Sequence, residues 1–232
     1  MTNRQSNIIF YAVISLIMSA LLINMFAPEV IQQATDSKEQ ITIRKSLQEG
    51  EYQTALANYE TLVNSELENN KNTIELANLY EEIAQVQRQL GNSVEENNYY
   101  LKSLAIKKSL KKIDIFSLAK TYYQLGIIAE QSEQLNQAQN YFEKALTTRL
   151  GVIVDLKEED LGMFDGMQQS RLQYQRLNNE GTIANYLKLA NIHKLKEQQA
   201  IAKEYYDKAL AASILTFGED DKRTLDLKNN GL

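Results

Sequence analysis

Apolar residues follow two patterns along this 232-residue chain. From Ile8 to Ala27 they run on as IIFYAVISLIMSALLINMFA, twenty residues without a charge in which Ser15, Ser19 and Asn24 are the clearly polar members. Beyond Ser37 they recur every three or four residues, the period of a helix with one buried face. Twenty helical residues rise about 30 Å, the thickness of a bilayer's hydrocarbon core. The first pattern therefore predicts a transmembrane helix over 8–27, stopped by Pro28. The run is too long for the apolar region of a cleaved signal peptide, and a cut after Ala27 would leave Pro28 directly behind it. Every face of the run is apolar, which suits lipid better than a protein core. An uncleaved anchor is expected, preceded by a short segment at 1–7 and followed by a linker at 28–37. Arg4 and the terminal amine precede the helix, whereas Glu29, Asp36 and Glu39 follow it with Lys38 as the one early cation. Positive charge stays on the cytoplasmic side. The N-terminus is expected inside and the large domain outside, in the periplasm if the cell is Gram-negative.

The second pattern repeats. Tyr80, Ile83 and Ala84 are followed by Gly91, Tyr100 and Ser103. Tyr122, Leu125 and Gly126 are followed by Ala138, Phe142 and Ala145, and Tyr186, Leu189 and Ala190 by Ala202, Tyr206 and Ala209. A weaker copy supplies only Gly50, Tyr52, Ala55, Tyr59 and Leu62. Each segment reads as two helices. Small residues at Ala84, Gly126 and Ala190 let the second helix approach the first. Tyr100, Phe142 and Tyr206 then fill the space between neighbouring pairs, because no pair can bury its apolar face alone.

This template resembles the tetratricopeptide repeat, whose pattern is an aromatic, Leu-Gly three residues on, and Ala, aromatic and Ala on a second helix. The resemblance covers roughly residues 36–212. It departs from the family at Glu96, where a small residue is usual, and at Gln87, Ala129 and His193, where an aromatic is usual; the terminal proline is absent throughout. The second-helix aromatics Tyr59, Tyr100, Phe142 and Tyr206 are 41, 42 and 64 residues apart. The family period is about 34, so the longer steps look like the kinesin-light-chain type. The tail from Tyr205 to Leu210, followed by Phe217 to Asp221, is similar to that type's linker. The expected fold is all-α: the membrane helix, an α-solenoid of about four helix pairs over 38–212, and a capping segment at 213–232. The third step carries 22 surplus residues in an irregular insert at about 148–180, with an acidic run of Asp155, Glu158, Glu159 and Asp160. The insert reads as a degenerate helix pair packed into the array. The alternative is a partner-binding flap presenting Met163, Phe164 and Met167.

Composition agrees. Nine Gly and one Pro leave few turns, so long helices are favoured. Net charge is −5, and an acidic domain matches nucleic-acid phosphate poorly. The absence of Cys excludes disulfides, thiolate zinc sites and a lipid-attachment cysteine. His193 is the only histidine, and its position reads as a packed ring rather than a catalytic base. No phosphate-binding glycine pattern appears, and the acidic run lacks the alternating ligands and central Gly of a calcium loop. We expect no enzyme, no cofactor, no metal, no nucleic acid and no small-molecule substrate.

The resemblance implies a concave groove lined by the first helix of each pair. Its exposed positions here are Asn78, Glu81, Gln85 and Arg88; Lys120, Tyr123, Ile127 and Gln131; and Leu187, Asn191 and Lys194. Such a surface suits an extended peptide or a helix. The clamp of chaperone-tail-binding members is not reproduced, since Glu81 and Gln124 stand where it has Lys and Arg. The expected function is a membrane-anchored scaffold or assembly factor that binds a protein or peptide. The alternative is a fixed structural subunit of a membrane or cell-envelope complex, held by its anchor and a broad convex surface.

Overall fold

A computed structural model describes residues 37–69, 73–111, 114–151 and 179–229. These form nine helices and no strand: α1 (Lys38–Glu49), α2 (Tyr52–Asn69), α3 (Ile74–Gln89), α4 (Ser93–Ser109), α5 (Ile115–Gln131), α6 (Leu135–Leu150), α7 (Glu180–Leu195), α8 (Gln199–Phe217) and α9 (Lys222–Asn229). The first helix of each pair is started by a side chain that takes up its otherwise unpaired N–H groups. Ser37 and Gln40 form a reciprocal capping box on α1. The Thr73 hydroxyl accepts from Leu76 N, Asp114 from Phe116 N and Ser117 N, and Asn179 from Thr182 N. The second helices α4, α6 and α8 have no side-chain cap. Their start is set by the turn before them.

That turn has one geometry used three times. Gly91, Glu133 and Glu197 adopt φ of 75°, 58° and 60°. In each case this residue's N–H bonds to the carbonyl three back, and the next N–H to the carbonyl five back: Gly91 to Arg88 and Asn92 to Gln87, Glu133 to Glu130 and Gln134 to Ala129, Glu197 to Lys194 and Gln198 to His193. This double closure reverses the chain within three residues. Glycine takes the left-handed conformation without steric penalty; glutamate does not.

The chain divides into two compact units, residues 1–62 and 63–232. In the first, α1 and the opening turns of α2 bury Ile43, Ser46, Ala55 and Tyr59. In the second, α3–α4, α5–α6 and α7–α8 are hairpins. α4 packs on α5, α7 on both α5 and α6, and α9 on α8. The template residues form the core. Ile83, Ala84, Tyr100, Leu125, Ala138, Phe142, Ala145, Leu189, Ala190, Ala202 and Ala209 are all buried. A Cβ on Gly126 would lie 2.6 Å from Phe142 Cε1, so only glycine admits the ring there. Phe142 also packs with Leu189 and Ile192 of the next hairpin. Tyr206, the last of the series, is half-buried, and its hydroxyl donates to the Leu227 carbonyl on α9.

α7 lies on both α5 and α6. The expected insert at about 148–180 falls, from 152 to 178, outside the described residues, as does the apolar run at 8–27. Among the described residues no helix is long and apolar enough to cross a membrane.

The turn geometry yields a prediction. Replacing Glu133 or Glu197 with Gly should relieve a left-handed backbone strain of about 1–2 kcal/mol, offset in part by glycine's larger loss of freedom on folding. Urea unfolding of each variant should show a higher midpoint with an unchanged slope. A lower midpoint at both sites would mean that the glutamates are not strained.

Candidate partner-binding surface

Three- and four-residue spacing puts the expected binding residues on one side of α3, α5 and α7. Of the eleven, Asn78, Gln85, Lys120, Gln131, Asn191 and Lys194 are exposed. Tyr123, Ile127 and Leu187 are half-buried and belong to the edge of the core. The Tyr123 ring centroid is 5.5 Å from that of Phe142, and Ile127 packs against the same cluster. Leu187 packs against Ile183, Ala209 and Ala212. Burial pushes the Tyr123 phenol above the ordinary tyrosine value, with Glu130 adding to the rise and Arg149 opposing it.

Glu81 is a correction. It is 7% exposed and faces inward, not outward. Its carboxylate lies 2.7 Å from Lys107 Nζ on α4, a side chain with no exposure at all. The Ser103 hydroxyl donates to the same oxygen at 3.2 Å, and the Thr121 hydroxyl on α5 contacts it too. Lys107 Nζ also reaches Thr121 Oγ1 at 3.0 Å and the Ser117 carbonyl at 3.4 Å. Hydrogen bonds accompany the pair, as a buried ion pair requires: Ser103 and Thr121 contact the carboxylate, and Thr121 and the Ser117 carbonyl the ammonium. This network ties α3–α4 to α5.

Arg88 is also less available than its position suggested. Its guanidinium is half-buried, 2.6 Å from Glu96, and donates to Gln124 on α5 at 2.8 Å. Glu96 is 2% exposed. A glutamate at the template's small position is thus accommodated because Arg88 neutralises it. Between α5 and α7, Glu130 accepts from Lys188 at 2.6 Å and from Asn191 at 2.9 Å. Sequence reasoning named Gln124 at a clamp position but did not include Glu130 and Lys188 in this face. Glu130 has the offset of Arg88 and Lys194, eight residues after the leading tyrosine, so the repeat did point to it; what the sequence does not report is that Lys188 and Asn191 hold it across 58 and 61 residues.

His193 is a packed ring. It is 5% exposed, stacks on Tyr205 at 5.4 Å, and its Nδ1 lies 2.6 Å from Gln198 Oε1. Among the described residues no three His, Cys, Asp or Glu side chains come together as a metal site.

A tetratricopeptide-repeat family model matches residues 119–149, the α5–α6 hairpin. BtubC (BKLC) from P. vanneervenii is similar in fold, with a TM-score of 0.52 and 18% identity; the match covers 84% of this chain but only 65% of that one. Lower-scoring likenesses are to kinesin light chain nearly identical TPR-like repeats from Podosopora anserina (TM-score 0.43, 15% identity, 76% of this chain and 93% of that one) and to MamA (TM-score 0.35, 16% identity, 74% and 94%). No curated protein matches the chain. The described helices therefore form a TPR-like array, a fold that generally mediates contact between proteins.

The buried network makes its own prediction. Lys107→Met leaves the Glu81 carboxylate buried without its cation and should cost about 3–5 kcal/mol of stability. Adding Glu81→Leu should restore most of that loss. Urea unfolding of wild type, single and double variants measures the coupling, and equal destabilisation by the single and the double change would refute it.

Proposed function

We propose that this protein is a membrane-tethered scaffold or assembly factor that recruits a protein or peptide through the exposed row of its first helices. One observation carries the reading. Asn78 and Gln85 on α3, Lys120 and Gln131 on α5, and Asn191 and Lys194 on α7 stay exposed on the same helix sides, with Ile127 and Leu187 half-buried beside them. Amide and lysine groups next to apolar edges suit a peptide's main chain and side chains together. The tether in this reading is the apolar run at 8–27, with the N-terminus cytoplasmic and the repeats on the far side. A single anchor raises the local concentration of anything recruited to the membrane. The 41- and 42-residue steps support the longer, kinesin-light-chain-like repeat type.

A second reading, the fixed structural subunit, has one observation in its favour. Arg88, Gln124, Glu130, Lys188 and Asn191 bond to one another across the first helices, so much of this face is already satisfied internally.

Crosslinking in native membranes, read by mass spectrometry, separates the two. The triple variant Gln85→Ala, Gln131→Ala and Lys194→Ala changes only exposed side chains and should lower partner crosslinks about tenfold or more, the loss expected when several interface contacts go together. Unchanged crosslinks would transfer the case to the structural subunit. Tyr123 is unsuitable for this test because it packs on Phe142.

Orientation has a separate check. A protease added to cells whose outer barrier is opened should digest the repeats while the inner membrane is intact. Digestion only after that membrane is ruptured would reverse the assignment.

A further inference from the structure

The charged side chains of α5 and α7 divide into those held within the array and those left over. α5 carries Lys120 and Glu130, and α7 carries Glu180, Lys188 and Lys194. Both carboxylates are taken. Glu130 accepts from Lys188 and Asn191, and Glu180 from Arg223 on α9. The Asp114 carboxylate, at the start of α5, accepts from the Phe116 and Ser117 N–H groups. Lys120 and Lys194 are exposed, and among the described residues their ammonium groups bond to nothing. What these two helices have left over is therefore positive, in a chain of net charge −5.

The repeat explains why Lys194 is left over. Arg88, Glu130 and Lys194 share one offset, eight residues after the leading tyrosine. At the two earlier places this side chain reaches the next first helix. Arg88 donates to Gln124 at 2.8 Å and Glu130 accepts from Lys188 at 2.6 Å, and both Gln124 and Lys188 stand two residues after a leading tyrosine. Lys194 has no such neighbour among the described residues, since α9 meets α7 at Glu180, the opposite end of the helix. Leu195 beside it is 54% exposed, where the earlier helices have Gln89 and Gln131. α3 differs in sign. Its Arg88 is neutralised by Glu96, and Glu75 and Glu82 are exposed on it.

Spacing limits what could use both lysines. Lys120 stands in the second turn of α5 and Lys194 in the last turn of α7. A rise of about 1.5 Å per residue and about 10 Å between packed helices separate them by roughly 20 Å. An extended chain advances about 3.3 Å per residue, so about six residues bridge that gap. Ile127 and Leu187, both half-buried, fall between the lysines in offset.

We propose that α5 and α7 hold an extended acidic segment of the recruited protein. One carboxylate pairs with Lys120, a second about six residues on pairs with Lys194, and apolar side chains between them rest on Ile127 and Leu187. The exposed carboxylates of α3 repel such a segment, so the contact is confined to the two later hairpins. The inference rests on the recruiting function proposed above and names the chemistry of the partner.

The probes are three dye-labelled peptides of twelve residues, alike except at two positions six apart, with two leucines among glycines and serines between them. The two positions are glutamate in the first peptide, glutamine in the second and lysine in the third. Binding to the full chain in detergent is read by fluorescence polarisation. The glutamate peptide should bind about threefold to tenfold more tightly than the glutamine peptide, the gain from two exposed ion pairs. That gain should shrink in Lys120→Gln and in Lys194→Gln, vanish in the double variant, and fade as salt is raised from about 50 to about 500 mM. Lys120→Glu combined with Lys194→Glu should turn the preference to the lysine peptide. Equal binding of the glutamate and glutamine peptides, including no binding of either, would overturn the proposal, as would a preference of the wild-type chain for the lysine peptide. A result blind to charge removes this inference alone and leaves recruitment to the crosslinking experiment. Unchanged crosslinks in the triple variant remove recruitment, and this inference with it.

Discussion

The contact on which this fold depends is an aromatic ring set on a residue too small to obstruct it. Phe142 rests on Gly126 of its own hairpin and touches Leu189 and Ile192 of the next. The closing of a pair and the stacking of pairs are therefore one event at one side chain. Tyr100 has the same place, clustered with Ala84 of its own hairpin and with Leu125 and Ile128 of the following one. Burying such a ring is worth about 1.5–3 kcal/mol, and each ring serves two interfaces. No pair keeps that stabilisation if its neighbour is removed, which is why the array is cooperative between adjacent pairs. At the end of the series α9 takes over the role of the absent neighbour, and Tyr206 bonds to it.

Beside this apolar scheme runs a polar one that differs at every junction. The seventh residue after each aromatic turns toward the start of the following helix: Glu66 accepts from Thr73, Lys107 reaches Ser117 and Thr121, Arg149 lies on Gly181, and Ser213 bonds to Thr224. The aromatic contacts are nearly the same at every step and so cannot distinguish one neighbour from another. The polar position can. A lysine buried against the wrong helix would have no carboxylate, a penalty of several kcal/mol. The order of the hairpins is written in these polar contacts more than in the core.

The legible part of the structure is the part that repeats. Ala84, Gly126 and Ala190, and the aromatics opposite them, were readable because a fixed offset in the sequence is a fixed contact in space. Glu81 was misread for the converse reason. Its offset matches Tyr123 and Leu187, and what turns it into a buried ion-pair partner is Lys107, 26 residues away on another helix. Burial of a charge depends on whether a counter-charge arrives, and no periodicity reports that. Arg88 was placed on the outer face for the same reason, although Glu96 and Gln124 hold it.

Two irregularities fall at the same junction. The repeat period breaks between Phe142 and Tyr206, and the polar position breaks there as well, with a cation kept and its carboxylate replaced by Tyr123. Each alone could be drift. A surplus of chain between two hairpins has no required effect on the side chains packed beneath it, and the loss of one carboxylate does not require longer chain. Their coincidence marks this junction as the one where the period of the sequence and the polar contacts beneath it depart from the template together.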